Sequence, residues 1–352
     1  MKPEPDPTHD AKRGHVLAVV VPCFNVEAHI AGVIEGLPAW VAEIVAVDDC
    51  STDGTLAVLR RLASEDPRLR VVARDRNGGV GAAMRSGYRA ALEGDADLIV
   101  KMDGDGQMDS AELPGLLRPL LEGRADYAKG NRFRHVKDLA RMPRARLVGN
   151  VLLTFMTRLV SGYWRIFDAQ NGYTAITRDA LDALPLARLD PSYAFENSML
   201  ALLNVEGRPV ADVAMPAVYG DERSSMRVTR VLFSFPPRLV GMLLRRLVLK
   251  HLVYDVSPIA VYAGCGSLLL GFGTSFGGYH WWQSIRTGIP AATGTTVVAL
   301  LTFLMGYMLV LQAVNLDIAQ SPRLREPREE LDLAAVPERF SARRDAPGAP
   351  RG

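Results

Sequence analysis

Short apolar blocks alternate with segments of helical periodicity along the first hundred residues. "HVLAVVVP" (15–22) has strand length and no polar interruption, and "VEAHIAGVIEGL" (26–37) repeats its apolar positions at helical spacing. The pattern recurs: "EIVAVDD" (43–49) reads as a strand, "TLAVLRRLASE" (55–65) as a helix, "RVVAR" (70–74) as a strand. "GAAMRSGYRAALEG" (81–94) is again helical and "DLIVKMD" (97–103) again extended. Ser51, Thr52 and Asp53 supply the capping signal for the second helix. Near-continuous Val/Ile/Leu strands, separated by helices, predict an α/β domain whose mostly parallel sheet is covered on both faces. Ligands of such sheets bind beyond the carboxyl ends of the strands, where Asp48, Asp49 and Asp103 fall.

The C-terminal part follows a different pattern. Residues 256–279 carry no charge, and neither do residues 287–316. Both exceed the ~20 apolar residues that a membrane-spanning helix needs. The connecting "HWWQSIRTG" (280–288) is short, with tryptophans suited to a headgroup interface. Seven Lys/Arg and no acidic residue occur between Arg223 and Tyr254, and Arg323, Arg325 and Arg328 follow the second span. By the positive-inside tendency both flanks are cytoplasmic, so the pair is expected to be a hairpin, with the N-terminal domain and both termini in the cytosol. Residues 228–254 mix apolar and cationic positions as an interfacial helix does. The predicted organisation is a disordered segment 1–14, a catalytic domain 15–227, juxtamembrane amphipathic helices 228–254, a two-helix hairpin 255–316 and a disordered tail 317–352. Gly273 and Gly277 form a G-x-x-x-G pair that permits close helix packing and marks a candidate homo-oligomer surface.

Net charge is only +2, which hides this asymmetry, and no nucleic-acid partner is expected. Cys23, Cys50 and Cys265 are odd in number and not spaced for a metal, so they read as buried reduced thiols.

Chemistry concentrates in "DGDGQMD" (103–109). Aspartates two apart repel each other, and either a plain strand-ending turn or a bound cation accounts for them. Carboxylates plus an amide carbonyl suit a hard divalent ion, Mg²⁺ or Mn²⁺, whose shell substrate phosphates complete. Asp48 and Asp49 in "VDDCSTDGT" are turn residues or contacts to a base or ribose. "NGGVGAAMRSG" (77–87) fails as a dinucleotide loop: Gly79 and Gly81 give G-x-G, but Met84 occupies the third position, and the segment follows the third strand. The segment therefore does not point to hydride transfer. Residues 131–146 carry Arg132, Arg134, Lys137, Arg141, Arg144 and Arg146 against a single Asp. Glu196 in "YAFENSML" reads equally as a helix-surface residue or as part of the site.

The succession "VVVPCFN", "VAVDDCSTDGT", "NGGVGAAMRSGY", "VKMDGDGQMD" and "DAQNGYTAITRDAL" resembles the family 2 inverting glycosyltransferases, which have the GT-A fold. With the basic segment and the C-terminal hairpin, it is similar to the polyprenyl-phosphate (dolichol- or undecaprenyl-phosphate) glycosyltransferases over about residues 15–315. The resemblance implies a base pocket of Pro22, Phe24 and Asn25, with Asp49 reading the base. Members usually have Tyr at the place of Phe24 and often Glu at the place of Val26; Glu27 is the nearest acidic replacement. It also implies Asp103 facing the nucleotide, a metal held by Asp103, Asp105 and Gln107, and a phosphate-contacting Arg132. Asp168, Gln170 and Gly172 match the acceptor-side motif. Arg144, Arg146 and Arg223 are the further candidates for the acceptor phosphate. At 223–227, "RSSMR" replaces the usual Arg/Gly/Ser/Lys string, with Met226 where a lysine is common, so a cationic role there falls to Arg223 or Arg227.

The activity so implied is transfer of one hexose, with inversion, from a nucleotide-diphosphate sugar (UDP-glucose first, GDP-mannose second) to polyprenyl phosphate at the cytoplasmic membrane face. Asp105, Asp168 and Arg132 are its candidate catalytic residues. A lipid phosphate has a second pKa of ~6 and is largely dianionic at neutral pH, so it hardly requires a base. Asp168 is therefore expected to orient rather than to remove a proton. A processive polysaccharide synthase would carry Gln-x-x-Arg-Trp, where this chain has only "YWR" (163–165), and would need more spans. The remaining alternatives are a family 2 enzyme with another lipid or glycan acceptor and a non-catalytic nucleotide-sugar-binding membrane scaffold.

Overall fold

The computed structural model describes residues 14–132, 154–168, 171–216, 228–254 and 256–341, excepting the side chains of 228–236. It divides into two units, residues 1–239 with 322–352, and residues 240–321.

The first unit is built on a seven-stranded sheet of order β3-β2-β1-β4-β6-β5-β7. The strands are β1 (Leu17–Cys23), β2 (Glu43–Asp48), β3 (Leu69–Ala73), β4 (Leu98–Lys101), β5 (Tyr127–Asn131), β6 (Thr174–Thr177) and β7 (Val210–Ala214). All neighbours are parallel except β6, which is antiparallel to both β4 and β5. The apolar runs are buried on both faces because successive side chains alternate. Leu17, Val19 and Val21 point to one core, with Ile30 and Ile34 of α1 (Ile30–Glu35), Leu59 and Leu62 of α2 (Thr55–Glu65), and Leu113, Leu116 and Leu120 of α4 (Leu113–Leu121). Ala18 and Val20 point to the other, with Met84 and Tyr88 of α3 (Val80–Glu93), Leu181 of α5 (Arg178–Ala183), and Phe195, Met199 and Leu203 of α6 (Phe195–Val205). The mostly parallel, two-faced sheet expected from the sequence is therefore present.

Strand β6 positions the site. Being antiparallel, it begins where β4 ends, with Thr174 opposite Lys101 on one side and opposite Lys129 on the other. Gly172, two residues before Thr174, is thus delivered to the carboxyl end of β4, beside Asp103.

The tail differs from expectation. Read as disordered from its Pro/Arg/Glu composition, residues 322–341 instead pack on the sheet domain. Arg325 donates to both oxygens of Asp126 at 2.7 and 2.9 Å, and Leu331 N donates to Glu122 Oε1 at 3.2 Å. Leu331 and Val336 are buried, and Phe340 stacks on Trp40 with centroids 5.0 Å apart. The end of this strap exchanges backbone bonds with the start of the domain: His15 N donates to Arg339 O at 2.6 Å, and Ser341 N to His15 O at 2.9 Å. Three apolar side chains and one bidentate ion pair, spaced too irregularly to read as an element, hold it.

In the second unit, α8 (Pro258–Thr287) and α9 (Thr293–Ala319) form a helical pair. Both are long and apolar enough to cross a membrane. A soluble core helix of that composition would be buried, whereas Leu268 is 76% and Met308 68% exposed here. The link is shorter than expected: the tryptophans continue α8 as far as Thr287, and Gly288, in the left-handed conformation (φ 69°), ends it. A Cβ at Gly273 would lie 2.6 Å from Phe303 N, and one at Gly277 would lie 3.2 Å from Ala299 Cβ. The G-x-x-x-G pair read as a homo-oligomer surface is thus used within the hairpin, to bring α8 against α9. Cys265, expected to be buried, is exposed on the outside of the pair, and Cys50 is half-buried; all three cysteines are free. Helix α7 (Val228–Val248) and a π-helical turn (Leu249–Val253) precede the pair. Within this unit Arg246 donates to both oxygens of Asp317, each at 2.8 Å.

Candidate active site

The carboxyl edge of β1, β2 and β3 is a pair of interlocked loops. Asn25 is left-handed (φ 55°), and its Oδ1 accepts from Thr52 N at 2.8 Å. Val26 N donates to Thr55 Oγ1 at 2.9 Å, Glu27 N to Asp53 Oδ2 at 3.2 Å, and Gly54 N to Glu27 Oε2 at 2.8 Å. Asn25 and Glu27 thus tie the loop after β1 to the loop after β2. Phe24 leaves its ring 46% exposed beside them, an open face on which a base could stack.

Asp49 is buried and takes Gly78 N at 3.1 Å and Gly79 N at 2.7 Å, together with the guanidinium of Arg74. The Gly-rich turn is therefore pinned to a carboxylate. Gly79 (φ 86°) is required there, since a Cβ would also meet Pro191 O at 2.8 Å. Arg74, which the sequence motifs did not single out, ends the third strand facing Asp49. Asp48 is buried beside Cys23, whose thiol is pushed well above its ordinary range first by burial and then by the charges of Asp48 and Asp103.

After β4 the chain folds into the acidic turn. Asp103 Oδ1 accepts from Lys101 Nζ at 2.7 Å, and Asp105 Oδ1 accepts from Gln107 N at 3.0 Å. Asp109, the third aspartate, caps the next turn through Ala111 N at 2.9 Å, while its carbonyl accepts from Tyr173 OH at 3.0 Å. Its role is structural.

The acceptor-side motif meets this turn directly. A Cβ on Gly172 would lie 2.4 Å from Lys101 Nζ and 2.5 Å from Asp103 Oδ2, so only glycine leaves both groups where they are. Asp168 is almost fully buried and accepts from Arg132 three times: N at 3.2 Å, Nε at 2.8 Å and Nη2 at 3.2 Å. Lys129, buried on β5, donates to Asn171 O. Burial, reinforced by the charges of Lys101 and Arg132, brings the Lys129 pKa down to about 8, against the pull of Glu196 and Asp168. Burial pushes the same way on Lys101, but Asp103 and Glu196 more than offset it and hold that ammonium above its ordinary value. Glu196 is buried, with Oε1 3.5 Å from Lys101 Nζ, so the helix-surface alternative is set aside.

The residues present fit a hard divalent cation. Asp103, Asp105 and Gln107 offer oxygen donors on one turn, and Gly172 packs directly against Asp103 Oδ2. Among the described residues no group of three or more His, Cys, Asp or Glu converges, so a substrate would supply the rest of the shell. Of the other predicted residues, Pro22 lies at the end of β1 in the same edge, while Gln170, Arg144, Arg146, Arg223, Met226 and Arg227 lie outside the described residues.

The profile of the family described as Glycosyl transferase family 2 matches residues 18–184, which span β1 to the end of α5. The chain is 31% identical over 182 residues to the polyprenol monophosphomannose synthase of Mycolicibacterium smegmatis, covering 51% of this chain and 68% of that protein. It is 27% identical over 233 residues to the UDP-N-acetylglucosamine–dolichyl-phosphate N-acetylglucosaminyltransferase of Methanococcus voltae, covering 62% of this chain and 92% of that protein. With the undecaprenyl-phosphate mannosyltransferase of Micrococcus luteus it shares 29% over 178 residues, covering 50% and 72%. Motif order, sheet and matched span agree, and the chain belongs to glycosyl transferase family 2, on a sheet of the GT-A type.

Proposed function

We propose that this chain transfers one hexose from a nucleotide-diphosphate sugar to polyprenyl phosphate at the cytoplasmic face of a membrane, with inversion. The observation that carries this reading is the approach of Gly172 to Asp103, which sets the acceptor-side motif on the acidic turn. The polyprenyl-phosphate acceptors of the relatives and the two long apolar helices support it.

On this reading the base stacks on Phe24, between Pro22 and the interlocked loops that Asn25 and Glu27 hold, and Asp49 with Arg74 faces its polar edge. Asp103, Asp105 and Gln107 hold Mg²⁺ or Mn²⁺. When bound, the ion stabilises the negative charge that develops on the departing diphosphate. Arg132, Arg144, Arg146 and Arg223 neutralise and place the acceptor phosphate. Asp168 aims Arg132: among the described residues its carboxylate accepts three bonds, each from that residue, which suits a carboxylate that orients a guanidinium better than one that accepts a proton. A dianionic phosphate oxygen attacks the anomeric carbon from the face opposite the diphosphate, and no proton has to be removed from it.

The donors to test first are UDP-glucose and GDP-mannose, joined by UDP-N-acetylglucosamine from the Methanococcus relative. The experiment is a panel of radiolabelled nucleotide sugars with the full chain in membranes and added undecaprenyl phosphate. One donor should yield an organic-extractable sugar phosphate. Label passing only to water or to a glycan would transfer the reading to another acceptor, and label staying in the donor would favour the scaffold.

A further inference from the structure

Strand β4 is buried on both faces, yet its last residue is a lysine. Lys101 is 1% exposed. Its ammonium is shared among three oxygens from three parts of the fold: Asp103 Oδ1 of the acidic turn at 2.7 Å, Gly172 O of the acceptor-side segment at 3.2 Å, and Glu196 Oε1 of α6 at 3.5 Å. A buried ammonium persists only when paired and hydrogen-bonded, and each of these contacts constrains its partner in turn. With Oδ1 held by Lys101, Asp103 sets Oδ2 against Gly172, so closely that a Cβ there would lie 2.5 Å from it. The Gly172 carbonyl, held by the same ammonium, fixes that contact from the acceptor side.

We propose that Lys101 is a positioning residue for transfer, aiming Asp103 at the donor and setting Gly172 against it, with Glu196 as the anion that keeps the ammonium compensated. This inference rests on the reading of Asp103 as a metal and donor ligand. Its consequence has a definite sign. Lys101 competes electrostatically with any cation placed on Asp103, so it lowers cation affinity while it improves alignment. When a divalent ion takes a share of the Asp103 charge, Glu196 is the remaining counter-charge for the lysine. Removing the lysine should therefore bind the ion more tightly and transfer sugar more slowly. A residue that merely supported the fold would lose both.

The test compares the full-length wild-type protein in detergent with Lys101→Met and with the double variant Lys101→Met/Glu196→Gln. The double variant leaves no unpaired buried carboxylate on α6 if the single one folds poorly. Mn²⁺ binding is read from the electron paramagnetic resonance of the free ion, alone and with UDP or GDP, alongside thermal unfolding and kcat and KM for transfer. The expected result for the double variant is a melting temperature near that of the wild type and Mn²⁺ bound at least as tightly. Its kcat should fall at least about tenfold, as misplaced catalytic geometry produces. Wild-type kcat in the double variant, or Mn²⁺ affinity lost together with activity, would overturn the assignment. A failure of the underlying reading looks different: wild-type protein would bind no Mn²⁺ that Asp103→Asn and Asp105→Asn abolish, whatever stands at 101.

Discussion

Arg132 grips Asp168 through its backbone N–H, Nε and Nη2, so that the almost fully buried carboxylate holds a guanidinium that remains partly open to solvent. Such a pair directs a cation toward an anion outside it. Arg132→Ala should raise the KM for polyprenyl phosphate by about ten- to a hundredfold, the value of a charge-assisted bond to phosphate, while leaving donor KM nearly unchanged. Steady-state kinetics with each substrate varied in turn checks this.

Asp168→Asn keeps the shape of the pair and removes its charge. The expected outcome is a weakened acceptor interaction and a pH–rate profile that stays flat above neutrality, with donor binding unaltered. Loss of several decades of rate at constant binding of both substrates would instead assign Asp168 the role of base.

Gly172→Ala places a methyl group against two side-chain ends, Lys101 Nζ and Asp103 Oδ2, rather than against backbone. The fold can yield there by turning those side chains, so the melting temperature should change by only a few degrees. Displacing the acidic turn from alignment should lower kcat/KM by about 10²-fold. Calorimetric unfolding and kinetics on the same preparation separate the two effects.

The strap makes its own prediction. Deleting residues 322–341 removes buried Leu331 and Val336 and the Phe340–Trp40 stack, and Leu331→Ala alone should cost about 2–5 kcal/mol. The strap packs on the domain that precedes both apolar helices, and the expected outcome is a hairpin with both ends on one side of the membrane. Thiol-reagent labelling of single cysteines placed at 320 and on the catalytic domain should show protection from the same side.

Glu122 links the strap to pH. Burial opposes its ionisation, but Arg118 Nε, Leu331 N and Arg124 Nη1 donate to it and hold it below the ordinary glutamate value. A carboxylate whose folded pKa lies below its unfolded value of about 4.3 contributes stability that is present above that value. The contribution is lost as pH falls through the folded pKa. Hydrogen-exchange protection factors of residues 322–341, corrected for the intrinsic rate at each pH, should fall on acidification into that window before those of the central strands, and Glu122→Gln should weaken the dependence.

How much of this is legible in the sequence depends on local pattern. β1, β2 and β4 are short runs dominated by Val, Ile, Leu and Ala, and the acidic residues at or after their ends could be located from the same pattern. β6 is only Thr174–Thr177, too short and too mixed to read alone, yet its antiparallel insertion is what carries Gly172 to Asp103. The strap is invisible for a similar reason: Leu331, Val336 and Phe340 follow neither helical nor strand spacing and are stabilised only by partners about two hundred residues or more earlier. Glu196 reads equally as a surface or a site position in the sequence, because helix periodicity does not reveal a buried counter-ion. A signal did exist for Lys101, a lone cation ending an otherwise apolar strand. The spacing of Gly273 and Gly277 signals close packing, and the helix it meets is the chain's own second one.

The most direct test of the central claim is sugar transfer to undecaprenyl phosphate by the full chain reconstituted in vesicles, measured with and without a chelator, for wild type and Asp105→Asn. Lipid-linked product should form only with added Mg²⁺ or Mn²⁺ and should fall by about 10²–10³-fold in the variant, the range for losing one electrostatic contributor to transition-state stabilisation. Undiminished product after chelation, or an Asp105→Asn enzyme as fast as wild type, would contradict the account.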